Sequence, residues 1–159
     1  MADEKVKELV KILKERDIQI SVSESLTGGL LAATIVNVSG ASEVFKGAVV
    51  AYSAEIKTKV LGVSQKLIQE EGTVCSDVAK QMAIGVAKLL ESDMSIATTG
   101  VAGPGPYEGK EAGTVYVGIK YRNKETSVLY KTSGNREEIR CNTVNFCVNK
   151  ALELLSTLD

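Results

Sequence analysis

A serine stands just before two glycines where a short predicted strand gives way to an apolar helix. The segment Glu24-Ser25-Leu26-Thr27-Gly28-Gly29 follows a predicted strand over 18–23 and precedes a predicted helix over 30–37. Glycine costs about 1 kcal/mol relative to alanine inside a helix, so two glycines at its start indicate a need for bare backbone. With Thr27 as the expected N-cap, free N–H groups would lie beside the Ser25 hydroxyl and stabilise an oxyanion. A tight turn without chemistry is the alternative.

A lysine follows the next predicted strand in a comparable position. Lys57 lies in a helical stretch that begins after the strand over 46–52. Ligands collect at the C-terminal ends of strands in α/β sheets, so Ser25 and Lys57 can share a crevice although they are distant in the chain. Tyr52 ends the same strand and either supplies a hydrogen bond or merely completes the strand. Taken alone, Lys57 is equally compatible with a solvated surface charge.

The composition restricts the base that such a serine could use. None of the 159 residues is a histidine. Serine-histidine-acid triads, cysteine-histidine pairs and histidine metal sites are therefore excluded, and the base must be a lysine, a carboxylate or a tyrosine. The three cysteines Cys75, Cys141 and Cys147 are an odd number without ligand-like spacing. They predict buried apolar side chains in a reducing compartment, with neither a disulfide framework nor a zinc site.

The balance of charges points to a small-molecule partner. Nineteen basic residues stand against twenty acidic ones, a formal net charge of -1, so no broad positive field exists for nucleic acid or an anionic membrane. No apolar stretch approaches the roughly 20 residues of a membrane span, and the N-terminus does not resemble a leader. We expect a cytoplasmic protein that binds a small molecule, with no nucleic-acid and no membrane partner; the sequence leaves a homo-oligomer open.

Hydrophobic periodicity predicts helices alternating with strands. Further helices are predicted over 2–16, 64–71, 76–91 and 136–157, and further strands over 94–99, 114–121 and 125–131. The last two strands form a hairpin around Arg122-Asn123-Lys124, while the apolar run 48–51 predicts a strand buried on both faces. Ser76 is the expected N-cap of its helix. Two apolar stripes are expected in the core: Val78, Met82, Val86 and Leu89, and Cys147, Ala151, Leu154, Leu155 and Leu158.

These elements predict one α/β domain over 1–159. The absence of a composition shift or linker argues against a second domain. The expected architecture is a three-layer α/β/α sandwich around a mixed, mainly parallel sheet of about five strands.

Five blocks of the sequence, in order, resemble one family. They are Glu24-Ser25-Leu26-Thr27-Gly28-Gly29; Val50-Ala51-Tyr52-Ser53 with Glu55 and Lys57; Thr99-Gly100-Val101-Ala102-Gly103-Pro104; Gly113-Thr114-Val115-Tyr116-Val117; and Gly134-Asn135-Arg136 with Arg140. The sequence is similar to the CinA C-terminal domain family, the nicotinamide mononucleotide amidohydrolases. The resemblance covers nearly the whole chain.

The resemblance implies a serine/lysine hydrolase that converts a nucleotide carboxamide to the acid and ammonia without a metal or organic cofactor. Ser25 matches the nucleophile, Lys57 the base and Tyr52 a tyrosine that lines the site. Backbone N–H groups near Gly28 or Gly100 are candidates for the oxyanion. The matching blocks also contribute the expected substrate-binding residues, which are Glu24, Thr27, Gly28, Gly29, Thr99, Gly100, Gly103, Arg136 and Arg140.

Several positions depart from the family pattern. Ser23 and Ala54 stand where alanine and asparagine are usual, Cys75 replaces a common serine, and the loop 105–112 is atypical. Two alternatives therefore stay open: a serine amidohydrolase acting on another small amide, and a non-catalytic nucleotide-binding module. Some family members carry an additional N-terminal domain, for which this sequence has no room, so we expect the stand-alone form.

Arg136 and Arg140 form an i, i+4 pair at the start of the last predicted helix. A cation in a first turn opposes the helix dipole by about 0.3 to 1 kcal/mol, so its place beside Asn135, a good N-cap, suggests a bound anion. The 5′-phosphate of a mononucleotide is the expected anion. Glu137 and Glu138 supply the alternative, a solvated and salt-bridged helix face.

Overall fold

The computed structural model describes residues 2–157. Its elements follow one another as α1 (Ala2–Glu15), β1 (Ile20–Glu24), α2 (Leu30–Val36), a 3₁₀ turn (Ala41–Glu43), β2 (Phe45–Val50), α3 (Ala54–Leu61), α4 (Gln65–Glu71), α5 (Ser76–Leu90), β3 (Met94–Gly100), β4 (Thr114–Tyr121), β5 (Lys124–Lys131) and α6 (Arg136–Thr157). Within this range, no helix is long and apolar enough to cross a membrane.

The five strands form one mixed sheet in the order β2-β1-β3-β4-β5. Strand β1 runs parallel to β2 and to β3, whereas β4 is antiparallel to both β3 and β5. Four strands therefore point one way and β4 points the other. Helices cover both faces, which confirms the predicted three-layer α/β/α sandwich.

The two faces of the sheet carry different side chains because different helices cover them. Large aliphatic residues of β1 and β3, such as Val22 and Ile96, pack beneath α1, α2 and α6. On the opposite face, Ser23 donates to the carbonyl of Met82 at 3.2 Å and Ser95 to that of Ala83 at 2.6 Å, both in α5. Short side chains let α5 approach closely, and the donated hydrogen bonds satisfy their buried hydroxyls.

Several predicted details are wrong. Strand β2 is an edge strand with alternate residues exposed, so the apolar run does not mean burial on both faces. Leu89 is exposed, and so is Cys141 on α6. The N-cap of α5 is Cys75, without a side-chain cap, and Ser76 is the first helical residue. The expectation for Leu158 lies outside the described residues.

The parallel register brings three strand ends to one edge of the sheet. Glu24 ends β1 and pairs with Val50, the last residue of β2, on one side and with Thr98 of β3 on the other. The segments that leave β1, β2 and β3 therefore begin side by side. This is the crevice in which ligands collect in open α/β sheets.

Candidate active site

Ser25 is the first residue beyond β1, in a turn that two glycines make possible. Its N–H donates to the carbonyl of Thr98 at 3.0 Å, which continues the pairing of β1 with β3 for one residue. Gly28 (φ +57°) and Gly29 (φ +101°) then adopt left-handed conformations, which residues with a Cβ rarely adopt. The shape of the turn therefore explains why both positions are glycine.

Glu24 caps α2 in place of the predicted Thr27. The helix starts after Gly29, which contributes no side chain, and the carboxylate of Glu24 accepts from the N–H groups of Leu31 (2.8 Å) and Ala32 (3.1 Å). Thr27 is fully buried, and its hydroxyl lies 2.8 Å from that of Thr98. The first N–H groups of α2 are therefore occupied by a charge from the protein itself.

Lys57 reaches the Ser25 hydroxyl from α3. Ser53 caps that helix by accepting from the N–H of Ile56 at 3.2 Å, and Lys57 follows one turn later. Its side chain is only 1% exposed, and its Nζ lies 3.0 Å from Ser25 Oγ. Among residues 2–157, no carboxylate forms an ion pair with this amine.

Burial changes the protonation of Lys57. It lowers the pKa of the amine from 10.5 to about 8, although the negative charge of Glu108 opposes part of this shift. With such a pKa about a tenth of the amines are neutral at pH 7, compared with fewer than about one in a thousand for an ordinary lysine. The buried amine can therefore accept a proton near neutral pH.

The acceptors around Lys57 determine where its lone pair points. Besides Ser25 Oγ, the amine contacts the carbonyl oxygens of Ala51 (3.0 Å) and Tyr52 (3.3 Å). A carbonyl oxygen only accepts, whereas a hydroxyl can also donate. The neutral amine therefore keeps its two N–H bonds on the carbonyls and turns its lone pair toward the Ser25 hydroxyl. Such a geometry is suited to proton transfer from a nucleophile to a general base.

The Ser25–Lys57 pair lies in an open cavity of about 540 Å³. One wall comes from the chain after β2, including Tyr52, and another from Thr73 and Val74, just before α5. The end of β3 and the loop 101–107 that follows it complete the lining. The volume is within the range of small-molecule sites.

Arg136 joins two walls of this cavity. Its guanidinium donates to the carbonyl of Gly103 at 2.5 Å and to the hydroxyl of Tyr52 at 3.1 Å. The start of α6 is held by a reciprocal pair, because Asn135 and Glu138 each accept the other's backbone N–H through their side chains. Glu138 is thus engaged with the cap, and in the described part of the chain no carboxylate pairs with Arg136.

The structure brings together seven of the twelve predicted site residues. The cavity is lined by Ser25, Tyr52, Lys57, Thr99, Gly100, Gly103 and Arg136. Outside the lining are Glu24, Thr27, Gly28, Gly29 and Arg140.

The five residues outside the lining shape the turn that carries Ser25. Arg140 donates to the carbonyls of Leu26 and Thr27, both at 2.9 Å. The N–H of Gly28 donates to the carbonyl of Ser25 at 3.1 Å, so it is not available to an oxyanion. Glu24 and Arg140 therefore both stabilise this turn, Glu24 by capping the helix that follows it and Arg140 by donating to its carbonyls.

Sequence reasoning missed Thr73, Val74 and Tyr107 in the lining. Thr73 reaches the site because the hydroxyl of Thr99 donates to its carbonyl at 2.7 Å. No spacing in the sequence indicates this contact, since it joins strand β3 to the loop before α5. Across residues 2–157, no group of three histidine, cysteine, aspartate or glutamate side chains is placed to hold a metal ion.

Comparisons with known proteins point to one family along nearly the whole chain. The family model of the CinA C-terminal domain matches residues 2–158. A CinA-like protein of Thermotoga neapolitana is 44% identical over 142 residues, covering 88% of this chain and 35% of the relative. One of Dictyoglomus turgidum is 43% identical over 136 residues, covering 85% and 33%. The chain thus spans about a third of the length of these curated relatives.

Solved structures share the whole fold. The CinA superfamily protein of Klebsiella pneumoniae has a TM-score of 0.96 at 27% identity, covering 99% of both chains. The competence/damage inducible protein CihA of Agrobacterium tumefaciens has a TM-score of 0.92 at 29% identity, covering 98% of this chain and 95% of its own. The matched sequence and the shared fold extend over nearly all of the molecule, and the chain belongs to the CinA C-terminal domain family.

Proposed function

We propose that the chain hydrolyses the carboxamide of nicotinamide mononucleotide to nicotinic acid mononucleotide and ammonia. The observation that carries this proposal is the buried Lys57 amine, 3.0 Å from Ser25 Oγ, with its remaining contacts made to two carbonyl oxygens. An amide is a poor electrophile with a poor leaving group, so its hydrolysis needs both an activated nucleophile and a proton donor. One lysine next to one serine can supply both.

The reaction proceeds in two halves. In the first, neutral Lys57 takes the proton of the Ser25 hydroxyl as Oγ attacks the carbonyl carbon, and then gives that proton to the departing nitrogen. Ammonia leaves, and an ester joins the acyl group to Ser25. In the second, Lys57 takes a proton from water as the water attacks the ester, and returns it to Ser25 Oγ when the acid leaves. The lysine ends in the protonation state in which it began.

The substrate assignment draws on the cavity and on the family resemblance. The volume of about 540 Å³ accommodates a mononucleotide, and Arg136 supplies a cation without a carboxylate partner among the described residues. Ala54 and residues 105–107 of the atypical loop 105–112, which depart from the family pattern, border the same cavity. They favour testing other small amides beside the mononucleotide.

A coupled assay for ammonia tests the proposal. The purified chain is incubated with nicotinamide mononucleotide, nicotinamide riboside, free nicotinamide and unrelated small amides, with the Ser25→Ala variant as the matched control. We expect ammonia and nicotinic acid mononucleotide in equal amounts from the mononucleotide. Release from a different amide would replace the substrate, and binding of the mononucleotide without ammonia from any substrate would favour a non-catalytic nucleotide-binding module.

A further inference from the structure

Glu108 connects two walls of the cavity through a carboxylate with four hydrogen-bond contacts. Its Oε1 accepts from the N–H groups of Thr73 (2.8 Å) and Val74 (3.0 Å), and its Oε2 accepts from the N–H (2.9 Å) and the hydroxyl (2.9 Å) of Thr73. Burial raises the pKa of Glu108, but the hydrogen bonds from Thr73 and Val74 outweigh it and hold the pKa below its ordinary value. The side chain is therefore an anion at neutral pH.

The backbone on both sides is shaped to admit this contact. Glu108 and Gly109 have φ of +52° and +73°, and they form a two-residue turn closed by reciprocal 2.9 Å hydrogen bonds between Tyr107 and Lys110. Opposite, a Cβ on Gly72 (φ +79°) would lie 2.6 Å from Glu108 Oε1. A glutamate in the left-handed region is uncommon, and its contacts offset the backbone strain.

Glu108 is the attachment of an otherwise unsupported segment. Within the described chain, residues 105–110 form hydrogen bonds with the rest of the molecule only through this carboxylate. Tyr107, in the same segment, lines the cavity and is 57% exposed. Within residues 2–157 the Tyr107 hydroxyl forms no hydrogen bond. No contact of the hydroxyl therefore explains why the aromatic ring is exposed at this position.

We propose that Glu108 is a positioning residue, which holds the turn 107–110 against Thr73 and Val74 and thereby keeps Tyr107 in place as a stacking surface for the planar ring of the substrate. This inference rests on the proposed function for the identity of that ring. A pyridinium ring is flat and cationic, and both properties favour the face of a tyrosine. Glu108 acts through Tyr107, so its loss weakens binding of the ring. It forms no hydrogen bond with Ser25 or Lys57, and its negative charge affects that pair only by raising the pKa of the Lys57 amine.

Binding measurements in a Ser25→Ala background separate this inference from catalysis. Calorimetry gives the Kd of nicotinamide mononucleotide for Ser25→Ala alone and with Tyr107→Ala, Glu108→Ala or both. We expect each added change to raise Kd about tenfold, and the combination to raise it scarcely further, because both remove the same platform. Tyr107→Phe, which keeps the ring, and Glu111→Gln, which neutralises an exposed acid in the same loop, leave Kd within about twofold.

A second measurement reports on the contact itself. Amide hydrogen exchange at Thr73 and Val74 should accelerate at least about tenfold in Glu108→Ala and stay unchanged in Glu111→Gln. Any one of four results would overturn the inference. Two concern affinity changes: losses that multiply in the combined variant, or no effect of Glu108→Ala on Kd. The other two are undetectable binding to the Ser25→Ala parent and unchanged amide exchange in Glu108→Ala. Absence of ammonia from the Ser25-intact chain, with these affinity changes present, would instead reject the proposed reaction alone.

Discussion

Lys57 is a basic side chain that the fold keeps almost entirely out of water. Burying an ammonium costs free energy, and no carboxylate within residues 2–157 pairs with this one to offset the cost. Its position after a strand end could be predicted from the sequence, as could that of Ser25. Its burial could not, because burial depends on tertiary contacts such as those of the amine with the carbonyls of Ala51 and Tyr52.

The lowered pKa of Lys57 predicts the pH dependence of the proposed reaction. The free enzyme needs a neutral amine, so kcat/KM should rise with pH through an apparent pKa of about 8 and then level off. Lys57→Arg, which keeps the positive charge but cannot lose its proton, should be inactive throughout. A profile of kcat/KM that stays flat from about pH 6 to 9 argues against lysine as the base.

The same shift predicts how stability depends on pH. Below pH 8 Lys57 holds its proton in both the folded and the unfolded chain, but between 8 and 10.5 only the unfolded chain holds it. The free energy of unfolding should therefore rise with pH across this window by about 3 kcal/mol relative to a Lys57→Met variant. Urea unfolding of both proteins at several pH values measures the difference, and a difference independent of pH contradicts the shift.

Arg136 is expected to bind the phosphate of the mononucleotide. Arg136→Ala should raise KM for the mononucleotide at least about tenfold and leave activity on the dephosphorylated riboside nearly unchanged, because only the mononucleotide carries the anion. Tyr52→Phe removes the hydroxyl that Arg136 contacts, and it is the control for lost positioning of the Arg136 side chain. Arg122→Ala is a second control, because it removes an exposed arginine just after the C-terminal end of β4. Equal losses on both substrates would count against a phosphate ligand.

At the scale of elements, periodicity located the helices and strands well but misjudged what surrounds them. The serines of β1 alternate with aliphatic residues, and Ser21 and Ser23 are fully buried because helices cover both faces, which the alternation alone does not indicate. Strand β2 is the reverse case, an apolar run at the edge of the sheet. The cap of α2 comes from Glu24, outside the helix and before the turn. Each of these depends on strand order or tertiary contact, which local patterns do not contain.

Helix α5 packs so closely on its neighbours that two glycines are needed at the contacts. A Cβ on Gly85 would lie 1.9 Å from the carbonyl oxygen of Leu61, and one on Gly118 would lie 2.1 Å from that of Ala79. Gly85→Ala and Gly118→Ala should therefore each lower the free energy of unfolding by at least about 2 kcal/mol. Gly105→Ala, with nothing within 4 Å of the added Cβ, should stay within about 0.5 kcal/mol of the parent. Urea unfolding compares the three, and equal stabilities would contradict the close packing.

For the whole molecule, the sheet explains why separate sequence blocks meet. Parallel pairing of β1 with β2 and β3 brings the segments after Glu24, Val50 and Gly100 to one edge, so the first three blocks that the family shares converge on one cavity. This convergence could be predicted from strand ends alone. The contact of Glu108 with Thr73 could not, because it joins two loops whose approach depends on the complete fold. The stand-alone form and the site roles stay predictions.

In the proposed reaction Ser25 and Lys57 act as one catalytic unit, and ammonia release by single and double variants shows whether they do. Turnover of nicotinamide mononucleotide is measured for the parent, Ser25→Ala, Lys57→Ala and the double variant, each first shown to unfold cooperatively. We predict that each single change lowers kcat at least about a thousandfold and that the double variant is scarcely slower, because either loss disables the same step. Parent-like turnover in either single variant, or losses that multiply in the double variant, would show that Ser25 and Lys57 do not act as one unit.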